Sequence, residues 1–123
     1  MKKRQIKFRA YDTFTKKMWK WEEHNAFSDQ KGSIKQWFED SDLIQMEFTG
    51  CYDINGKEIY EGDIVKEEGI SEMWVVVFFQ GCFGDFEEES GTFTSFSEMD
   101  GRVEVVGNIC QHKKLLEKVD GKK

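Results

Sequence analysis

Asn55-Gly56-Lys57-Glu58-Ile59-Tyr60-Glu61-Gly62-Asp63-Ile64-Val65 is the stretch on which the fold turns. Asn-Gly is the strongest two-residue hairpin signal, because both positions tolerate positive φ in a type I′ turn. Glu61-Gly62-Asp63 marks a second turn a few residues later and leads into the β-branched pair Ile64 and Val65. Turns made by Gly, Asn and Asp and followed by β-branched residues are what a β-rich fold is expected to use.

Outward from that segment the same period continues. Upstream, Leu43 to Thr49 alternates, with Ile44, Met46 and Phe48 facing one way. Residues 4–11 alternate as well, with Ile6, Phe8 and Ala10 on one face and Lys7, Arg9 and Tyr11 on the other. Asp12 to Lys16 turns the chain, and Lys17 to Glu22 returns as a strand with Trp19 and Trp21 on one face, so the first twenty residues read as a hairpin. Residues 23–42 are the least legible, with one short amphipathic helix from Ser33 through Ile34, Trp37 and Phe38 to Ser41.

Downstream, Trp74 to Phe79 is apolar on both faces, as in a strand covered on both sides or one entering a subunit interface. Gln80-Gly81 reverses it into Cys82 to Glu87, and Asp100-Gly101 precedes the alternating strand Arg102 to Val106, with Val103 and Val105 inward. Gly107 breaks the alternation, as a bulge does. Asn108, with Gln111 three residues on, caps a final helix whose apolar face is Leu115, Leu116 and Val119. Lys113, Lys114 and Lys118 suit that helix's dipole, and Asp120-Gly121 ends it.

Composition agrees. Eleven Gly and no Pro leave the turns to Gly, Asn and Asp, and an aromatic share of 15% in a chain that is 34% charged argues for a packed domain rather than disorder. A chain of 123 residues fits one domain spanning 1–123, and no linker, repeat or low-complexity tract divides it. The basic start MKKRQIKFRAY is interrupted by Lys7, Arg9 and Asp12, so no signal-peptide h-region forms and a cytoplasmic location is expected. The longest apolar run is too short to cross a bilayer of about 30 Å, so no membrane partner is expected.

Three segments, in this order and spacing, resemble the YopX family. They are Ile6-Lys7-Phe8-Arg9-Ala10-Tyr11-Asp12 with Lys17-Met18; Met46 to Gly50 with Asp53 and the run Asn55 to Val65; and Val103-Glu104-Val105-Val106-Gly107-Asn108-Ile109 with Leu115-Leu116. Together they span residues 6–116. Cys51-Tyr52 departs from the pattern, and residues 22–42 and 66–73 have no counterpart in it. The resemblance implies a phage or prophage origin, a largely β architecture and a tendency to form homo-oligomers. The family has no established activity, so no catalytic residue carries over.

The residues themselves supply no catalytic signature either. Cys51, Cys82 and Cys110 stand about thirty positions apart without a CxxC pair, which argues for reduced thiols and against a zinc site with His24 or His112. Asp53, Asn55, Glu58, Glu61 and Asp63 suggest calcium but miss the EF-hand spacing, and Lys57 sits among them, so a solvated hairpin reads better. Asp85, Glu87, Glu88 and Glu89 have no Walker loop beside them, and an acidic strand edge explains them. No GxSxG elbow serves His24. No catalytic, cofactor or metal residue is therefore expected, and no cofactor.

The charge distribution alone has a functional flavour. Residues 1–20 carry eight basic groups against Asp12 alone, a balance of +7, whereas residues 21–111 stand at -16 and the last twelve residues at +3 within a net charge of -6. Lys7, Arg9, Lys16, Lys17, Trp19 and Trp21 form the candidate interaction surface. Such a hairpin can dock on the acidic body, within one chain or on a neighbouring copy, since complementary potentials attract. Alternatively it binds single-stranded nucleic acid, where a cationic groove combines with stacking aromatics, here Phe8, Tyr11, Phe14, Trp19 and Trp21, or those aromatics are packed core and the lysines a solvated rim.

The expectation is thus a mainly β protein, a small partly closed barrel or sandwich of about seven strands with a C-terminal helix. Its function is expected to be that of a non-catalytic accessory protein binding a host or phage protein and itself.

Overall fold

The computed structural model describes residues 6–22, 39, 41–79, 82–87, 90–95 and 101–120. The chain is mainly β, with ten strands and one C-terminal helix among those residues, and it divides into two compact units, Met1–Phe48 and Thr49–Lys123. The amphipathic helix expected over 33–41 falls almost wholly outside the described residues.

In the first unit β1 (Phe8–Asp12) is the middle strand. It pairs antiparallel with β2 (Lys17–Trp19) on one side and with the start of β3 (Leu43–Tyr52) on the other, so that Tyr11 faces both Met18 and Ile44. The expected hairpin is present, although β2 stops at Trp19 and Trp21 follows in a short 3₁₀ turn. Ala10 and Leu43 are buried, with Phe8, Trp19 and Trp21 packed against them. The rings of Phe8 and Trp21 lie 6.1 Å apart and tilted by 53°, within the favourable range for aromatic pairs.

The other face of this sheet is not the polar one that alternation suggests. Lys7, Tyr11, Met46 and Phe48 are all buried, whereas Ile6, placed by its period with the apolar set, is 62% exposed. Ile44 shares the register of Met46 and Phe48 and is exposed. Both faces of the β1–β3 pairing thus carry buried residues, which period-2 patterning with a single wet side cannot produce.

The second unit begins with the last residues of β3, next to β4 (Glu58–Tyr60), where the Thr49 hydroxyl donates to the Ile59 carbonyl at 2.7 Å. The hairpin joining them is real, but its geometry is not type I′. Gly56 has φ +82° while Asn55 does not enter the left-handed region; Gly56 N–H donates to Asp53 O, and Asp53 N–H to Lys57 O. This is a turn closed by a left-handed glycine, the three-residue hairpin loop that ranks next to the two-residue types.

β5 (Asp63–Glu67) lies between β10 (Val103–Asn108) and β6 (Met73–Val75), all antiparallel. A second sheet runs β7 (Val77–Phe79), β8 (Cys82–Glu87), β9 (Thr92–Ser95). The apolar run from Trp74 to Phe79 is therefore one path paired to two sheets, split at the fully buried Val76. This split, the unforeseen β9 and the brief β4 explain why ten strands are present where about seven were expected.

Ile59, Val65, Val76 and Val103 form the core of this unit at 0% exposure, with Cys51, Trp74, Phe83 and Val105 packed around them. Truncating one of these side chains to Ala costs about 2–5 kcal/mol for Ile and less for Val. The β5–β10 register shifts between Val105 and Gly107, the bulge expected at that glycine. The bulge delivers the chain to α1 (Lys113–Asp120), which packs on β6 and β10 with Val119 buried and Leu115 and Leu116 half-buried. A Cβ on Gly107 would stand 2.8 Å from both His112 Cγ and Leu115 Cδ1, so only glycine admits the helix this closely.

Asn108 does not cap that helix, as its spacing suggested. Its Oδ1 accepts from Cys110 N and Gln111 N and its Nδ2 donates to Gln111 Oε1, which orders the turn before α1. His112 occupies the capping place: its carbonyl accepts from Leu115 and Leu116, and its Nδ1 accepts the Asn108 N–H. That last bond requires the His112 tautomer with its proton on Nε2.

Candidate functional site

The N-terminal hairpin is organised by Asp12. Its Oδ1 accepts the N–H groups of Phe14 at 2.9 Å and Thr15 at 3.1 Å, and Lys16 N–H donates to its carbonyl. The Thr15 N–H foremost, joined by Phe14 N–H and the Thr15 hydroxyl, holds the Asp12 carboxyl below its ordinary range against the push of desolvation. Lys16 closes the turn with φ 64°, left-handed for a residue with a Cβ.

The six candidate residues do not form one surface. Lys7 is 6% exposed, with its ammonium 4.7 Å above the Phe48 ring and its carbonyl accepting the Phe48 N–H. Its long methylene stem makes such burial possible, so Lys7 belongs to the interior rather than to a solvent-facing side. Arg9 is half-buried and reaches Met46 Sδ at 3.5 Å. Trp19 and Trp21 pack against Ala10 and Leu43 as core residues, and Lys17 sits 3.8 Å over the Trp19 ring. Lys16 and Lys17 remain exposed, as does Lys20.

What the hairpin presents outward is its tip. Phe14, between β1 and β2, is 83% exposed and stands next to Thr15, Lys16 and Lys17. An aromatic knob among cations is therefore the outward feature, displaced from the strand positions that alternation singled out.

In the second unit the carboxylates that suggested calcium are engaged with the chain itself. Asp53 is 5% exposed; its Oδ1 takes Asn55 N and Lys57 N at 2.8 Å each, and its Oδ2 takes Val105 N at 3.1 Å. Desolvation pushes its pKa up, but the three N–H groups and the Lys57 charge together outweigh it and hold the carboxyl below its usual range. Asp63, 1% exposed, accepts Tyr60 N at 2.8 Å. These are buried braces of turns, not the solvated hairpin expected.

Above this brace lies a feature that the sequence pattern did not signal. Ile54, Asn55, Lys66, Glu68, Gly69 and Glu104 line an open groove of about 300 Å³, formed where the turns after β3 and β5 flank the β5–β10 pair. Lys66 and Glu104 make a surface ion pair at 3.7 Å, worth little by itself, while Ile54 is 43% exposed and Glu68 is exposed. Its residues come from three separate stretches, so no local motif could have announced it.

Among the described residues no group of three or more His, Cys, Asp or Glu side chains gathers as metal ligands, and no helix is long and apolar enough to cross a membrane. Cys51, Cys82 and Cys110 stand outside any disulfide, Cys51 and Cys110 half-buried and Cys82 exposed.

Comparison with known proteins adds two findings. The family model described as "YopX protein" matches residues 7–117. The crystal structure of protein EF1440 from Enterococcus faecalis has a similar fold, with 26% identity and a TM-score of 0.61 over 93% of this chain and 99% of that one. No curated protein matches.

Proposed function

This chain belongs to the YopX family, and from that premise we propose that it is a cytoplasmic, non-catalytic accessory protein of a phage or prophage that works by self-assembly and by binding a host or phage protein. The observation that supports this reading is the division of charge. A hairpin segment with a balance of +7 displays Lys16, Lys17 and Lys20, while residues 21–111 stand at -16. Charges so divided attract between copies and fix the register of the contact more than they add to its affinity.

Light scattering on the wild type and on Lys16→Glu/Lys17→Glu tests it. Self-association falls in the variant while the fold survives, because both side chains are exposed. Lys7 and Arg9 are unsuitable positions for the reversal, since burying a new carboxylate there attacks the fold itself. An oligomer indifferent to the reversal removes the electrostatic reading.

A second reading, single-stranded nucleic-acid binding, draws support from Phe14, exposed beside two lysines. Oligonucleotide affinity measured at about 50 mM salt then falls steeply by about 200 mM, as phosphate contacts release counterions. The packed Trp19 and Trp21 and the acidic body weigh against it.

A further inference from the structure

We propose that Phe14 is a knob that enters the groove lined by Ile54, Asn55, Glu68 and Glu104 on a second copy of this chain. The inference rests on the self-assembly reading and deepens it by naming both halves of the contact. Phe14 is 83% exposed at the end of a turn that Asp12 holds in shape, so the ring is presented on a pre-ordered loop at little entropic cost. The groove, at about 300 Å³, takes one benzyl side chain and offers it the exposed aliphatic surface of Ile54.

Charge sets the orientation. Two residues from the knob stands Lys16, exposed; at the groove stand Glu68, exposed, and Glu104, which Lys66 pairs. With Lys66 already matched to Glu104, Glu68 is the carboxylate left to meet an incoming ammonium. A ring inserted on the aliphatic wall with its neighbouring cation on Glu68 satisfies both partners, and an acidic or apolar tip would lack half of the match.

Knob and groove are different surfaces, so each copy offers one of each. The contact is head-to-tail, closing into a ring when the rotation allows and extending as a filament when it does not.

The experiment is sedimentation velocity over a concentration series, with circular dichroism as the check on folding. Phe14→Ser raises the self-association Kd by about tenfold or more, the effect of removing a central aromatic anchor. Lys16→Glu and Glu68→Lys each weaken association alone, and an equimolar mixture of these two variants recovers it, because the carboxylate introduced on one copy then meets the ammonium introduced on the other. Failure of the mixture to recover, or a wild-type-like Phe14→Ser oligomer, overturns the knob and groove while leaving self-assembly standing. A wild type that stays monomeric at every concentration overturns both, and if its Phe14→Ser variant loses oligonucleotide binding the knob belongs to nucleic acid.

Discussion

Asp53 Oδ2 accepts the backbone N–H of Val105 at 3.1 Å across 52 positions of sequence, while Oδ1 of the same carboxylate closes the turn at Asn55 and Lys57. One side chain thus makes a local hairpin and a long-range strand edge depend on each other. Ile54 N–H, donating to Val103 O at 2.8 Å, runs alongside.

Removing that carboxylate leaves three backbone donors without their acceptor. Asp53→Ala is expected to cost about 3 kcal/mol, the order for stripping a charged acceptor from buried donors. A lower urea midpoint with an unchanged slope is the expected result.

The same group makes stability depend on acidity. Its folded pKa lies below the ordinary 3.8, so the unfolded chain takes up the proton first as pH falls. Its stabilisation is complete above about pH 5 and declines as pH drops through 3.8 and then through the lower folded value. Asp12 acts in the same direction. In urea titrations the gap between wild type and Asp53→Asn should therefore be widest near neutral pH and narrow below pH 3.8.

Two turn positions should respond with opposite sign. Gly56 has φ +82° and open space where a Cβ would go, so Gly56→Val pays only the backbone penalty, about 1–2 kcal/mol, and lowers the melting temperature. Lys16 already carries that penalty at φ 64°, and Lys16→Gly should raise stability by about 0.5 kcal/mol once the extra freedom of the unfolded glycine is subtracted. Calorimetry on the two variants checks the pair.

Gly107→Ala tests a different constraint, one of space. The added methyl meets His112 and Leu115 at 2.8 Å, and relieving this overlap should cost about 1–3 kcal/mol and loosen α1. Helical signal lost ahead of the main thermal transition is the expected sign.

The three thiols should titrate unequally. Cys82 is exposed and should react first with a disulfide reagent, with Cys51 and Cys110 slower, and all three should be reactive after unfolding without reductant. Elemental analysis of the same sample should find no stoichiometric zinc.

The legible parts of this fold are those decided within a few residues. The hairpin at Asn55-Gly56, the strand Cys82–Glu87 and the bulge at Gly107 follow from turn chemistry and period, and each is present. The illegible parts depend on what arrives from far along the chain. Lys7 looks like a solvent-side residue by alternation, and its buried place beside the Phe48 ring follows from the β1–β3 register, which brings a residue 41 positions away against it. Asp53 and Asp63 read as wet carboxylates because the N–H groups that satisfy them carry no sequence signature. The groove is composed of three stretches and has no local signature, whereas Phe14 stands out in the sequence with the other hairpin aromatics and only its exposure, against the packing of Trp19 and Trp21, depends on the fold.

Val76 joins β6 to β7 with its N–H on Asp63 O and its carbonyl on Gly62 N, both at 2.9 Å. Because one continuous path is paired to β5 before this point and to β8 after it, an inserted or deleted residue between 73 and 79 cannot be absorbed on either side. A slip of one position would turn every side chain of one sheet inside out. Length in this segment is therefore under a far tighter constraint than residue identity: related chains should vary the side chains here freely among apolar types while keeping the spacing from Met73 to Phe79 invariant.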